Sequence, residues 1–412
     1  MKESKMDNFK KTHGCFLGVM IGDAMGAAVE MMKPEDILAK NGGKEIEGFN
    51  HPVRRNQFKS EVVKLTTPVD LSAVLAGDKT LLPIRKLEKQ VRNTLTRFGL
   101  LKPVEPNLTI TKEVPEVVHG STTDDWQLTD AVRKSLVRRK RFDLTDVALA
   151  HIESYETSTS GWGGTTRNSL KELQEYFNSK GERGRSPNEA PAVTQGRGSG
   201  NGVAMKVTPV ALAHMMAMPF PQPDELLAAQ VADLGRLTHS DARAWAAAYA
   251  LAAVLIESNQ VFDTTLTQDG TPPATKILER VIQHLAPFER RHGSGKLKRF
   301  SSYLKVLLDE KLLFGPIENL REEVGTGCIA IESVVFAIAL FLRNPRNFRA
   351  GVLEAVNSGG DADTVASMVG GLIGSLVGPD GIPVEWINHN PEFSKAEVAA
   401  KELVTVFSST GN

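Results

Sequence analysis

The chain has 412 residues, of which 41% are hydrophobic and 24% are charged, a composition typical of soluble globular proteins. Lys plus Arg and Asp plus Glu each number 49, so the formal net charge is zero, and nothing global attracts a polyanion or an anionic membrane. The two cysteines, Cys15 and Cys328, are too few for a disulfide framework or a Cys-based zinc site, which excludes a secreted disulfide scaffold and favours the cytoplasm.

The N-terminal segment begins with charged residues and continues into an apolar stretch at residues 14–32. This stretch superficially resembles the apolar core of a signal peptide, but it contains Asp23 and Glu30. Because these acids interrupt an already short apolar run, we predict a buried amphipathic helix and neither a membrane span nor a cleaved export signal.

Helical periodicity dominates the rest of the chain, whereas the alternating pattern of strands is scarce, so the predicted fold class is all-α. Ser240 is predicted to cap the second of four further helices, and Asn344-Pro345 to end the third. Glycines at 370, 371 and 374 in the last would let a neighbouring helix approach closely. The spacing of apolar residues places these four helices over residues 125–139, 241–256, 328–342 and 364–376.

Three segments differ in composition from these helices. Residues 51–112 contain twelve Lys or Arg against five Asp or Glu and five prolines, so we interpret the chain as a single domain, residues 1–412, with a basic insertion at about 51–115. Residues 290–305 are also basic. For both basic segments, we favour a solvent-exposed surface segment over a site that binds a partner such as nucleic acid. Residues 183–202 are rich in Gly, Pro, Ser and Asn and predict a loop with backbone amides open to a ligand.

Two acidic groups, Thr122-Thr123-Asp124-Asp125 and Gly359-Gly360-Asp361-Ala362-Asp363-Thr364, each precede a predicted helix. Such residues are good helix caps and complement the positive end of the helix dipole. One cap needs only one of them, however, so four carboxylates exceed what capping requires. A turn at Gly359-Gly360 would let both acids of the second group face one site.

If the two groups meet, carboxylates about 4 Å apart repel by about 4 kcal/mol at an effective dielectric of 20. Protons or cations must offset this repulsion. Because the donors are hard oxygens without a thiolate or a His pair, we predict Mg²⁺, with Mn²⁺ as an alternative, and four carboxylates suit two ions. A calcium loop is disfavoured because Val365 stands where its third ligand belongs, and the glycine run at 196–202 misses the dinucleotide fingerprint.

Several motifs then identify a resemblance to the ADP-ribosylglycohydrolase family, which includes the dinitrogenase-reductase-activating glycohydrolases. The resemblance covers about residues 12–50 and 117–390 and leaves the basic insertion unaccounted for. The motifs occur in the family's order, as Gly14-Cys15-Phe16-Leu17-Gly18, Gly22-Asp23-Ala24-Met25-Gly26 with Glu30, Thr123-Asp124-Asp125, Gly161-Trp162-Gly163-Gly164-Thr165, Gly200-Asn201-Gly202 with Ala204-Met205, Thr238-His239, Gly359-Gly360-Asp361-Ala362-Asp363-Thr364, and Ile382-Pro383-Val384-Glu385-Trp386.

The resemblance implies an all-α orthogonal bundle with a binuclear magnesium cleft. Glu30 would face this cleft as a ligand or acid/base, and catalytic roles are assigned to Glu30, Asp124 and Asp361. The implied metal ligands are Thr123, Asp124, Asp125, Asp361, Asp363 and Thr364. The implied ADP-ribose site is lined by Gly161, Gly163, Thr165, Gly198, Ser199, Asn201 and His239.

The chain departs from the family pattern at Trp126, where Thr is common, and at Lys206, where Arg usually follows the Met. Core packing is favoured over adenine stacking for Trp126 and Trp162. Glu332, inside an apolar helix, is predicted to accept a hydrogen bond from a buried donor without a chemical role.

The predicted function is Mg²⁺-dependent hydrolysis of the bond between ADP-ribose and an acceptor, with ADP-ribose as product. An ADP-ribosylated protein modified on arginine is the favoured substrate. Serine-linked, nucleic-acid-linked or free ADP-ribose derivatives are alternatives with the same chemistry. The rival classes are a non-catalytic ADP-ribose-binding protein and a metal-dependent phosphatase.

Overall fold

Every regular element among the described residues of the computed structural model is a helix, which confirms the all-α prediction. One isolated bridge between Gly200 and Ile329 is the sole β-type pairing in that part of the chain. The structure describes residues 2–51, 120–157, 161–179, 198–218, 221–262, 273–293 and 297–408. All of these belong to one compact unit, residues 1–55 with 118–412. Nearly all of the predicted basic insertion lies outside the described residues.

The described α-helices are numbered here in chain order. The first eight are α1 (Lys2–Gly26), α2 (Pro34–Lys40), α3 (Asp124–Arg139), α4 (Leu144–Thr157), α5 (Gly164–Ser179), α6 (Thr208–Ala217), α7 (Glu225–Arg236) and α8 (Ala242–Val261). The others are α9 (Pro273–His292), α10 (Phe300–Leu304), α11 (Glu310–Leu313), α12 (Ile317–Val324), α13 (Ala330–Arg343), α14 (Phe348–Asn357), α15 (Ala362–Val377), α16 (Val384–Ile387) and α17 (Lys395–Phe407). Three 3₁₀-helices cover Lys305–Leu308, Pro379–Gly381 and Pro391–Ser394.

The predicted helices are confirmed with small shifts of their ends. Residues 14–26 of the apolar N-terminal stretch belong to α1, which ends before the stretch does, and the four later predictions correspond to α3, α8, α13 and α15. The predicted cap at Ser240 is wrong, because Asp241 is the N-cap of α8 and its carboxylate accepts a hydrogen bond from Arg243 N at 2.9 Å. Asn344 is the C-cap of α13, as its sequence Asn-Pro predicts.

Helices α1 and α15 form the most extensive helix pair in the described chain. A side chain at any of four glycines on α1 would overlap a backbone carbonyl of α15, so the two backbones lie nearly in contact. The order of the pairs shows that the helices run antiparallel and that the end of α1 meets the start of α15. The facing pairs are Gly14 with Gly374, Gly18 with Gly370, Gly22 with Ala366, and Gly26 with Ala362.

Helix α8 lies inside the bundle. Almost all of its side chains from Ala244 to Val261 are buried, as expected of a helix that is apolar on every face. It packs against α6, α7, α9, α13 and α15. This core supports the segments that precede α6 and α8, which contain Asn201 and His239. No helix in the described chain combines the length and apolarity that a bilayer crossing requires.

Candidate active site

The first acidic group is held in place by a carboxylate from another helix. Asp23, on α1, accepts hydrogen bonds from Thr123 N at 2.9 Å, Thr123 Oγ1 at 2.7 Å and Trp126 N at 3.1 Å. Thr123 is the N-cap residue of α3, yet its own side chain makes no capping hydrogen bond. Asp23 therefore satisfies the start of α3 and leaves the carboxylates of Asp124 and Asp125 for another use.

The second acidic group follows a turn made by two glycines, as the sequence predicts. Gly359 and Gly360 have φ angles of 68° and 71°, in the left-handed region that glycine adopts without strain. Gly360 N donates to Met32 O at 2.9 Å, and Asp361 N donates to Thr326 O at 2.8 Å. The turn is thereby tied to the chain that follows α1, which brings Glu30 beside Asp361.

The structure brings the two acidic groups together. Thr364 Oγ1 lies 3.3 Å from Asp125 Oδ2, to which it donates a hydrogen bond across the two helix starts. One carboxylate oxygen each from Glu30, Asp361 and Asp363 lie within 4.8 Å of one another. We call the six carboxylates gathered here, Asp23, Glu30, Asp124, Asp125, Asp361 and Asp363, the acid cluster.

Burial and mutual repulsion disfavour the charged forms of four members of the acid cluster, Asp23, Asp124, Asp125 and Asp363. Burial raises the pKa of Asp23 to about 7. Burial and the neighbouring Asp23 raise the pKa of Asp124 and Asp125 well above the usual value. Burial, Asp361 and Glu30 do the same for Asp363. Such a cluster needs protons or cations to offset its charge.

The donor set fits divalent cations that prefer hard oxygen ligands. Asp125 Oδ1 is buried without a hydrogen-bond partner among the described residues, and an unsatisfied buried carboxylate oxygen is costly unless a ligand meets it. The donor atoms gathered here are carboxylate and threonine oxygens, with no thiolate among them. This chemistry suits Mg²⁺ or Mn²⁺ better than zinc.

One of the predicted substrate residues, Gly161, lies against the first acidic group, and others pack near His239. Gly161 has a φ of 82°, and a Cβ there would lie 2.7 Å from Thr123 Cβ. Gly198 packs against the methyl group of Thr165 and against His239. Ser199 is half-buried, and its carbonyl accepts a hydrogen bond from Ala330 N at 2.9 Å. Gly163 stands apart, since it is exposed and a Cβ there would meet nothing within 4 Å.

Asn201 contacts the acid cluster directly. Its side-chain amide donates to Asp361 Oδ2 at 2.7 Å and lies 3.0 Å from Ser333 Oγ. The sequence analysis assigns this residue to the ADP-ribose site. In the structure its amide orients an acidic side chain, and its backbone N donates to Cys328 O at 3.1 Å.

His239 lies beneath the glycine-rich segment at 198–202 and is only 2% exposed. Its Nδ1 lies 2.9 Å from Thr238 Oγ1. The same hydroxyl accepts a hydrogen bond from Lys206 Nζ at 3.1 Å. Burial and the nearby Lys206 lower the pKa of His239 to about 3, so its imidazole is neutral.

Trp126, Trp162 and Glu332 have the structural roles that the sequence predicts. Trp126 packs edge-on against Phe16, and Trp162 is 3% exposed with its Nε1 donating to Gln127 Oε1 at 2.7 Å. Glu332 accepts a hydrogen bond from Gly327 N at 3.1 Å. Sequence reasoning missed the positioning role of Asp23, although an acid inside an apolar helix needs buried donors.

Comparison with known proteins identifies the fold and the family. The profile of the ADP-ribosylglycohydrolase family matches residues 4–412. A solved structure described as an ADP-ribosylglycohydrolase-related protein complex has the same fold, with a TM-score of 0.56 and 22% identity, covering 97% of this chain and 99% of that one.

Curated relatives are also ADP-ribosylhydrolases. ADP-ribosylhydrolase ARH3 of Mus musculus is 30% identical over 300 residues, which are 69% of this chain and 77% of that protein. ADP-ribosylarginine hydrolase Tri1 of Pseudomonas putida is 24% identical over 295 residues, 69% of this chain and 66% of that protein. The match of the family profile to residues 4–412, together with these relatives, shows that the chain belongs to the ADP-ribosylglycohydrolase family of enzymes.

Proposed function

We propose that this chain is a Mg²⁺-dependent hydrolase that releases ADP-ribose from an ADP-ribosylated protein, with arginine as the modified residue. The observation that carries the proposal is the meeting of the two acidic groups, where Thr364 Oγ1 contacts Asp125 Oδ2 at 3.3 Å. Neither group by itself has enough ligands for two ions. Their contact unites residues that are 239 positions apart in the sequence.

Two ions, Mg²⁺ or Mn²⁺, would be held by the side chains of both helix starts. When bound, such ions supply Lewis-acid chemistry that activates water at neutral pH. Asp23 holds the first helix start, and Asn201 orients Asp361 in the second. The proposed ligands are Thr123, Asp124, Asp125, Asp361, Asp363 and Thr364.

Glu30 would handle the proton of the leaving group. It is half-buried at the edge of the acid cluster, whereas Asp124, Asp361 and Asp363 are buried. Glycoside hydrolysis passes through an oxocarbenium-like state and needs a carboxyl group that gives a proton to the departing atom. Asp124 and Asp361 add negative charge that stabilises this cationic state.

The segments at 161–165 and 198–199 would hold the ADP-ribose. Gly161 and Gly198 keep side chains out of the space beside Thr123 and His239. Backbone N–H groups in such glycine-rich segments are suited to bind pyrophosphate oxygens. Thr165 and Ser199 add hydroxyl groups that both donate and accept hydrogen bonds.

Arginine is the proposed acceptor because of charge. When bound ions displace their protons, six carboxylates would outnumber the four positive charges of two divalent ions, so the site would keep negative charge near a cationic leaving group such as guanidinium. The name of the Tri1 relatives specifies ADP-ribosylarginine, whereas the ARH3 name specifies no acceptor. The cytoplasmic location suggested by the cysteine count stays a prediction.

A side-by-side assay tests metal and acceptor together. The protein is incubated with peptides carrying ADP-ribosylarginine or ADP-ribosylserine, in Mg²⁺ or in EDTA, and released ADP-ribose is quantified by chromatography. We expect release from arginine with Mg²⁺ and none with EDTA. Equal release in EDTA would contradict the metal assignment, and release from serine alone would contradict the acceptor. No release from either peptide, with ADP-ribose still bound, would favour the non-catalytic binding protein.

A further inference from the structure

Lys206 is a fully buried lysine, with 0% of its surface exposed. Its Nζ donates to Thr238 Oγ1 at 3.1 Å, the one acceptor found for it among the described residues. Burial lowers the pKa of Lys206 to about 7, although Asp124 acts in the opposite direction. A buried ammonium with a single acceptor is costly. Its position therefore calls for an explanation beyond packing.

The hydrogen-bond chemistry of this lysine sets the direction of a short relay. An ammonium has three N–H donors and no lone pair, so Lys206 can only donate to the hydroxyl of Thr238. The hydroxyl then has its own proton to donate, and His239 Nδ1 at 2.9 Å is the partner in reach. A neutral imidazole that accepts at Nδ1 carries its proton on Nε2.

The protonated nitrogen of His239 lies beside the glycine-rich segment. A Cβ placed on Gly200 would be 3.5 Å from His239 Nε2, and one placed on Gly202 would be 3.4 Å from it. Side chains at these positions would be in van der Waals contact with the nitrogen. Among the described residues, His239 Nε2 has no hydrogen-bond partner.

We propose that Lys206 is a positioning residue that, through Thr238, holds His239 in the tautomer with Nε2 protonated, so that this N–H is presented at the segment 198–202 as a donor to the ADP-ribose group. The proposal rests on the proposed function for the identity of the ligand. Lys206, which stands where the family usually has an arginine, would thereby have a role of its own.

Magnetic resonance tests the tautomer directly, without turnover. The ring nitrogens of the histidines are observed in ¹⁵N-labelled protein at about pH 6, where Lys206 is an ammonium. We expect a protonated Nε2 and a bare Nδ1 for His239. His151 is an internal reference of the opposite kind, because its Nδ1 lies 2.8 Å from Val147 O, a carbonyl that can only accept. A protonated Nδ1 on neutral His239 would overturn the proposal.

Variants then connect the tautomer with ligand binding. Lys206→Met keeps the length of the side chain and removes the donor, so Thr238 no longer has a fixed direction. We expect a mixture of His239 tautomers, a KM about tenfold higher and a kcat within about twofold, because a hydrogen bond to a charged ligand is lost. Lys206→Arg keeps a cationic donor and should restore the KM.

Thr238 provides a matched pair that leaves the lysine in place. Thr238→Ser keeps the hydroxyl and should behave as the unchanged protein, whereas Thr238→Val has the same shape without the hydroxyl and should raise KM like Lys206→Met. Calorimetric titration with ADP-ribose gives the same comparison in the absence of hydrolysis. Equal ADP-ribose affinity for the serine and valine variants, with both folded by circular dichroism, would overturn the proposal while leaving the hydrolase assignment intact.

Discussion

Acidic residues occur at the starts of helices in two regions of this molecule, and their roles differ between the two regions. At the starts of α7 and α8, Asp224 accepts a hydrogen bond from Leu227 N and Asp241 accepts one from Arg243 N, so each aspartate caps its own helix. At the starts of α3 and α15, the N-cap residues Thr123 and Asp361 make no side-chain capping hydrogen bond. The acids at these two starts face one another instead of their own helices.

The pKa directions follow the same division. Burial raises the pKa of Asp241, but the hydrogen bonds from Arg243 outweigh it and the pKa is lowered, so its charge stabilises the fold. Burial and neighbouring carboxylates raise the pKa of Asp125 and Asp363, so their charge opposes the fold. Identical residue types therefore act as caps in one region and as a prospective cation site in the other.

Replacement of Asp361 by Asn should have the largest effect. We expect kcat/KM to fall by about a thousandfold, or about 4 kcal/mol, because a charged ligand of the ions is lost while the side chain keeps its shape. The measurement is ADP-ribose release at saturating Mg²⁺. Asp224→Asn is the matched control at an ordinary cap, since Asn also caps helices well. Full activity of Asp361→Asn would show that the α15 start is only a helix terminus.

The close packing of α1 against α15 brings the starts of α3 and α15 together. Gly18→Val should disrupt this packing. A side chain there would overlap the carbonyl of Gly370, so we expect a loss of about 3 kcal/mol in the free energy of unfolding. Urea denaturation followed by circular dichroism measures it. Gly164→Ala, where a Cβ would meet nothing within 4 Å, should stay within about 0.5 kcal/mol. Equal stability of the two variants would contradict the close crossing.

Asp23 combines the two roles of acidic residues, because it caps a helix, α3, from the acid cluster and from another helix, α1. In Asp23→Asn, an amide nitrogen replaces one carboxylate oxygen. This nitrogen cannot accept a hydrogen bond from Thr123 N or Trp126 N, so the first acidic group loses its orientation. We expect Mn²⁺ affinity to fall by about tenfold to a hundredfold, as for other residues that orient metal ligands. Calorimetric titration with Mn²⁺ measures this directly. Unchanged Mn²⁺ affinity would mean that Asp23 serves only the fold.

The smallest effect is expected at the ordinary cap Asp241. Because its folded pKa is lowered, its contribution to stability is present above the unfolded pKa of about 3.9 and is lost as the pH falls through the folded value. Asn keeps the cap but loses the charge that pairs with Arg243, so Asp241→Asn should cost about 0.5 kcal/mol at neutral pH. The difference from the unchanged protein should vanish in acid. Thermal unfolding between neutral pH and about pH 2 measures it, and a difference that persists in acid would contradict the assignment.

Much of the fold was predictable because helical spacing is a local property of the sequence. The helices over 125–139, 241–256, 328–342 and 364–376 were each found with ends displaced by a few residues. The acidic groups were also visible, because their number exceeds what capping requires. The cap of α8 was misassigned because Ser240 and Asp241 are both good caps, and only the backbone geometry distinguishes them.

Other features of the site were not predictable, since they join residues distant in sequence. Asp23 and Thr123 are 100 positions apart, and Asn201 and Asp361 are 160 apart. The apolar pattern around Asp23 shows that it is in a helix but not which donors it meets. Asn201 sits in a glycine-rich segment, where a pyrophosphate contact was as plausible as its contact with Asp361.

The sequence by itself determined the all-α class, the positions of the long helices and the presence of two acid-rich helix starts, because these depend on residue spacing and composition. Only the tertiary packing specified which surfaces meet: the glycines of α1 along α15, Asp23 against α3, and Lys206 against Thr238. Such pairings depend on the shapes and hydrogen bonds of elements far apart in the chain, which local patterns do not specify.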